Sequence, residues 1–108
     1  MKIILNEING SNHKVLSGVD LGRTARISFE LDKLDSSDDT ITINIPDDVI
    51  SVNSSFFSGL FQASILKLGE QRFREHYLFE CDEIIRMNVD NGIFNIVKTL
   101  DLLGGQSQ

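Results

Sequence analysis

The segment Ile41–Leu68 constrains the fold of this chain more than any other part of the sequence. Residues 40–45 read Thr-Ile-Thr-Ile-Asn-Ile, and this alternation of apolar and polar residues with many β-branched side chains is typical of a strand. Pro46 lacks a backbone N–H donor and ends that strand. After Asn53 the apolar residues recur at steps of three and four, which predicts a helix that ends at Gly69.

The predicted helix carries a single apolar stripe for burial. Its members are Phe57, Leu60, Phe61, Ile65 and Leu68. Gly59 is the awkward residue within this helix, because glycine in a helix interior costs up to about 1 kcal/mol relative to alanine. We expect Gly59 to allow close packing of the helix on the sheet.

The first forty residues predict a hairpin followed by a helix. Asn9-Gly10 is a strong two-residue turn signal between a strand at 2–8 and a second short strand at 14–16. The spacing of Ser17-Gly18-Val19-Asp20 fits a capping box, in which a serine side chain caps the start of a helix. The residues that we expect this helix to bury are Leu21, Ala25, Ile27, Leu31 and Leu34.

The last forty residues predict a connector, a strand and a final helix. Residues 70–75 are mostly charged and read as a connector, and the strand follows at 76–81. Asp90 is placed to cap the last helix, which Gly104-Gly105 would end. The residues that we expect this helix to bury are Ile93, Ile96, Val97, Leu100 and Leu103.

Together these elements predict an α/β fold, with a sheet of about four to five strands and three main helices packed on it. The chain has 108 residues, a length that fits one hydrophobic core. We therefore expect a single domain at residues 1–103. The tail at residues 104–108 lacks apolar anchors and is expected to be disordered.

Charge and cysteine content restrict the classes of partner. The net charge is −6, which disfavours binding to nucleic acid or to an anionic membrane, because both require a cationic surface. Residues 1–5 are too short an apolar run for a signal peptide or a membrane span. The single cysteine, Cys81, has no internal disulfide partner. We therefore expect a soluble, cytoplasmic protein.

No constellation of catalytic residues is visible in the sequence. His13 and His76 lack a second ligand at metal spacing, and Cys81 and His76 would point to opposite faces of one strand. Nucleotide-binding glycine motifs do not occur. The acidic pairs read as turn formers: Asp38-Asp39, Asp47-Asp48 and Asp82-Glu83. We expect a protein that is not an enzyme and carries no metal or cofactor.

Four segments carry a resemblance to a known family. They are the strand at Ile41–Ile45, the approach at Val49–Val52, the helix opening Ser54-Ser55-Phe56, and Leu68-Gly-Glu-Gln-Arg-Phe73. Over residues 17–103 the chain resembles the STAS-like domain family of unknown function. It is more distantly similar to the STAS domains of anti-sigma-factor antagonists, in which a kinase-type anti-sigma factor phosphorylates a serine at a helix start.

The resemblance implies candidate site residues at the start of the apolar helix. In the STAS domains the strand ends in Asp-Ser-Ser-Gly-Leu, and the matching residues here begin at Asn53. Ser55 matches the phospho-acceptor and Ser54 its neighbour, while Asn53 replaces the acid and Phe56 replaces the glycine. A second alignment, through Ser58-Gly59-Leu60, would place the serine inside the helix. The implied partner is a histidine-kinase-like ATPase or another signalling protein.

Several interpretations of this helix start are compatible with the sequence. The first is a regulatory, non-catalytic protein-interaction module, with Ser54, Ser55 and an exposed Phe56 at the contact surface and a phosphorylation switch at Ser55. A buried Phe56 would weaken this interpretation. The second is a small anion- or nucleotide-binding domain, or an enzyme, that uses the same helix start. The third is a structural subunit that forms a homo-oligomer. Alternatively, Asn53, Ser54 or Ser55 only caps the helix, which is worth about 1 kcal/mol.

Overall fold

The structure, a computed structural model, describes residues 1–104. The predicted tail, except Gly104, and the predicted core contact of the Leu103 side chain lie outside the described residues. The strands are β1 (Lys2–Ile4), β2 (Glu7–Ile8), β3 (Ser11–Asn12), β4 (Val15–Leu16), β5 (Ile41–Asn44), β6 (Ser51–Val52) and β7 (Tyr77–Glu80). The helices are α1 (Val19–Ser28), α2 (Leu31–Leu34), α3 (Ser54–Leu68), α4 (Glu70–His76) and α5 (Glu83–Gly104).

The main sheet has three parallel strands in the order β1-β5-β7. Ile43 of the central strand pairs with Ile3 on one side and Phe79 on the other. Ile41, Ile43 and Ile45 are buried, while the two residues between them are half-buried, as the alternating pattern predicts. The longest helices are α1, α3 and α5. The α/β prediction is confirmed, with strand pairing divided between this sheet and two smaller ones.

The N-terminal hairpin forms around the predicted turn but with different strands. Asn9 and Gly10 both have positive φ, 51° and 82°, as the two central residues of a type I′ turn require. The turn joins β2 to β3, which pair antiparallel. β1 instead pairs with β5, and β4 pairs in parallel with β6. The prediction of one strand over 2–8 and its partner over 14–16 is therefore wrong, because distant strands take the hydrogen bonds of both segments.

The predicted first helix is two helices, α1 and α2. Glu30 between them has φ +56°, a left-handed conformation that interrupts a helix. Gly18, rather than Ser17, is the N-cap of α1, and no side chain caps it, so the predicted capping box is wrong. Ile27 was predicted to be buried but lies on the outer surface of α1. The spacing of apolar residues thus predicted one continuous helix across the break at Glu30.

Helix α3 agrees with the prediction at both ends. Asn53 caps its start through a hydrogen bond from the Ser55 backbone N–H, and Gly69 caps its end. Gly59 allows a close approach to α1 rather than to the sheet. A methyl group on Gly59 would lie 2.3 Å from the Val19 carbonyl oxygen, and one on Gly22 would lie 2.2 Å from the Phe56 carbonyl oxygen. The two helices thus cross with their backbones in contact.

The predicted connector and the predicted last cap differ from the structure. Residues 70–75 belong to α4, because Phe73 is buried in the core and Glu70 pairs with Arg74 one turn later. Helix α5 begins well before Asp90. Its first turn is capped by Asp82, whose carboxylate accepts a hydrogen bond from the Ile85 N–H at 2.8 Å. Asp90 lies on the exposed side of the helix and contacts Arg74.

An aromatic cluster joins α3 and α4 to the sheet. Neighbouring ring centroids lie 5.0 to 6.2 Å apart, in tilted or edge-to-face arrangements. This geometry is the preferred one for aromatic pairs and adds to the free energy of burying their area. The cluster fixes α3, and hence the candidate residues at its start. Its members are Phe57, Phe61, Phe73, Tyr77 and Phe79.

Candidate functional site

Asn53 and Ser55 are bound to each other and to the start of α1. The Asn53 side-chain oxygen accepts hydrogen bonds from the Ser55 backbone N–H, at 2.7 Å, and from the Ser55 hydroxyl. The Ser55 Oγ in turn accepts a hydrogen bond from the Gly18 N–H at 3.1 Å. Ser55 is half-buried. Its hydroxyl therefore fastens the start of α3 to the start of α1, and modification of it would break that contact.

Ser54 is the exposed serine of the pair, and it faces α5. The Asn95 side-chain amide donates a hydrogen bond to the Ser54 Oγ at 3.0 Å. A groove of about 230 Å³ lies on this side, between α3 and α5. All of its described lining residues are uncharged: Ser54, Ser55, Ser58, Gln62, Asn95, Ile96 and Thr99. The groove thus lacks the cationic side chain that commonly accompanies an anion site.

Phe56 is fully buried, with 0% exposure, and does not serve as an exposed anchor. Its backbone lies against Gly22, where α1 crosses α3. Helix α3 contacts α1 as well as α5, so it buries a wider face than a single stripe. The prediction that Phe56 is an exposed contact residue is wrong. The sequence pattern predicted a single buried face for α3, whereas α3 packs against both α1 and α5.

A buried polar network that the sequence did not indicate lies beside α3. The Asp35 carboxylate accepts hydrogen bonds from Arg26 at 2.7 Å, from the Ser64 hydroxyl at 2.6 Å and from the Tyr77 hydroxyl. Arg26 also donates to Ser64 at 2.8 Å and to the Leu60 carbonyl at 2.9 Å. The network joins α1, α2, α3 and β7.

Burial and pairing set the protonation states of this network. Burial, together with the hydrogen bond to Asp35, raises the pKa of Tyr77. Burial lowers the pKa of Arg26, but its bonds to Asp35 and Asp32 outweigh that effect, so the pKa is raised on balance. Tyr77 therefore stays neutral and Arg26 stays charged. Each of these groups is paired within the protein, and a fully paired buried network makes the core more rigid.

His76 and Cys81 lie at opposite ends of β7 and have different surroundings. Burial raises the pKa of the Cys81 thiol, which opposes formation of the nucleophilic thiolate. The His76 ring nitrogen Nε2 lies 2.6 Å from the Leu34 carbonyl oxygen, with the ring edge-on to Tyr77. Within residues 1–104, no three His, Cys, Asp or Glu side chains cluster as metal ligands.

Helix α5 presents a second apolar stripe to the outside, opposite its buried one. Ile84, Met87 and Phe94 are 70%, 65% and 63% exposed. With Asn91 and Lys98, both also exposed, they follow alternating steps of three and four, the spacing of a coiled-coil seam. We call these five residues the outer stripe. The spacing of these residues is visible in the sequence, but the predicted helix began at Asp90 and so excluded Ile84 and Met87.

Helix α5 also contacts the start of α3, through Asn95, whose side chain donates a hydrogen bond to Ser54. Phe94, the preceding residue, is not among the residues that line the groove at that helix start. On another side of α5, the exposed Arg74 forms salt bridges with Glu70 and Asp90, so its charge is neutralised within the chain.

Across the described residues, no helix is both long and apolar enough to cross a membrane. Comparison of the chain with protein-family models, with curated proteins and with solved structures gives no significant match.

Proposed function

We propose that this chain is a non-catalytic regulatory module that binds a protein through the outer stripe of α5. One observation carries the proposal: three large apolar side chains, Ile84, Met87 and Phe94, are about two-thirds exposed on one face of one helix. Large apolar side chains grouped on a surface mark interaction sites, whereas scattered ones do not. Aromatic anchors such as Phe94 contribute disproportionately to binding energy.

The switch that we propose is phosphorylation of Ser54. Ser54 is exposed and Asn95 links it to the helix that carries the outer stripe. A phosphate there would add about −1.5 to −2 charges near the positive end of the α3 dipole. It would place negative charge beside Asn95 of α5 while the core stays intact. Ser55 is the less suitable acceptor, because its hydroxyl bonds both Asn53 and Gly18.

The resemblance to STAS-like domains supports the proposal of a regulatory protein-binding module. It suggests a histidine-kinase-like ATPase or another signalling protein as the binding partner. A small-anion site at the start of α3 has less support, because the residues described around that groove are uncharged.

An affinity capture from the native host tests the proposal. The baits are the unaltered chain, Phe94→Asp, Ser54→Asp and a matched control, Ile27→Asp, which alters an exposed apolar residue on α1. Circular dichroism first establishes that all baits are folded. We expect a protein that the unaltered chain and Ile27→Asp retain, that Phe94→Asp loses and that Ser54→Asp retains less. Equal capture by all four baits would contradict the proposal.

A further inference from the structure

We infer that the outer stripe of α5 pairs with the same stripe of a second copy, in an antiparallel arrangement about Asn91. This inference rests on the proposed function, because it names the occupant of the same face. The stripe repeats as Ile84, Met87, Asn91, Phe94 and Lys98, which is two heptads of a helix-pairing pattern. A pattern of this kind is unnecessary for burial within the chain, because a separate stripe of α5 faces the core.

The stripe is self-complementary when it is read in opposite directions. Asn91 lies midway between Ile84 and Lys98, so a two-fold axis there brings the two ends of the stripe together. Met87 of one copy then meets Phe94 of the other. The two Asn91 amides face each other at the centre, and a polar residue at such a central position is a known means of fixing register.

The contacts between Glu83 and Lys98 favour the antiparallel orientation over the parallel one. Asp90, which the same axis brings near Asp90 of the other copy, is already paired with Arg74 of its own chain. Glu83 lies at the start of α5 and Lys98 lies toward its end, and both are exposed. Antiparallel pairing brings Glu83 of each copy close to Lys98 of the other, giving two attractive contacts. Parallel pairing would place Lys98 against Lys98 of the second copy. The chain is acidic overall, with net charge −6, so these two contacts would oppose a general repulsion between copies.

The exposed area is sufficient for a weak, reversible dimer. A large apolar side chain that is two-thirds exposed offers on the order of 130 Å². Three such side chains, with Asn91 and the Lys98 stem, amount to about 500 Å² per copy, or about 1,000 Å² in total, which is the lower limit for specific interfaces. We therefore expect dimerisation that depends on concentration.

Sedimentation equilibrium over a wide concentration range tests this inference on the full chain. We expect a monomer–dimer equilibrium whose dissociation constant rises at least tenfold in Phe94→Asp and in Met87→Asp. Ile27→Asp serves as the control and should leave the constant unchanged. A monomer at every concentration, or a dimer that withstands both substitutions in folded protein, would overturn the inference.

Charge reversal tests the orientation. Lys98→Glu should weaken the dimer, and adding Glu83→Lys to it should restore affinity, because the two attractive contacts are re-formed with exchanged signs. Absence of restoration would refute antiparallel pairing. If the chain is monomeric but captures another protein in a Phe94-dependent way, only this inference fails. If it is monomeric and shows no such capture, the proposed function fails as well.

Discussion

Replacement of Gly59 by alanine sets two effects of opposite sign against each other. Helix propensity favours alanine by about 1 kcal/mol in a helix interior. The new methyl group, however, would lie 2.3 Å from the Val19 carbonyl oxygen, whereas ordinary contacts lie at 3.4–4 Å. Because the obstacle is backbone, rotation of a side chain cannot relieve it. Helices α1 and α3 would have to separate.

The structure indicates that the clash is the larger effect. Overpacking typically costs about 1–3 kcal/mol, and a gap of 0.5–1 Å forfeits roughly a quarter to a half of the attraction between the separated atoms. We take about 3 kcal/mol for a backbone contact, at the upper end of that range. After the gain in propensity, the expected net loss is about 2 kcal/mol. For a domain of this size it corresponds to a fall in Tm of about 10 °C.

Urea unfolding followed by circular dichroism measures this loss. Ala63→Gly on the exposed side of the same helix is the matched control, because it should report propensity alone, a loss of about 1 kcal/mol. Equal or greater stability of Gly59→Ala would refute the close crossing of α1 and α3.

Three further predictions concern the polar groups. Asp35→Asn breaks a buried ion pair and should lower the free energy of unfolding by about 3 kcal/mol, measured by urea unfolding; an unchanged value would contradict the network. Because the pKa of Tyr77 is raised in the folded protein, its neutral form contributes stability that is fully present below about pH 10 and is lost as the pH rises further. Tyr77 is the only tyrosine and there is no tryptophan. Absorbance at 295 nm should therefore show ionisation of Tyr77 only together with unfolding. Ser55→Ala should cost about 1 kcal/mol and Ser54→Ala less, because only Ser55 fastens α3 to α1; thermal unfolding compares the two variants.

The sequence predicted best those elements whose signal is local. The strand β5 and the helix α3 were recognised because alternation and a three-to-four step are properties of consecutive residues. The start of α5 was missed because Asp90 resembles a cap as much as Asp82 does. Helix α4 was missed because it buries a single residue, Phe73, and one apolar residue cannot show the three-to-four spacing of a helix.

Contacts between residues far apart in the chain could not be predicted from local sequence patterns. The partners of Asp35 lie 9, 29 and 42 residues away in the chain, and Asp35 itself belongs to an acidic run that reads as a solvated turn. Burial of Phe56 likewise depends on the crossing of α1 over Gly59. Asn53 could be named among three candidate caps because capping is local and involves residues two positions apart.

Photo-crosslinking in the native host tests the central claim most directly, that the outer stripe of α5 is a protein contact surface. A photoreactive phenylalanine analogue is placed at position 94, at position 87 or, as a control, at position 27. The account predicts covalent adducts, to a second copy or to another protein, from positions 94 and 87 and none from position 27. No adduct from position 94, or the same adducts from all three positions, would contradict it.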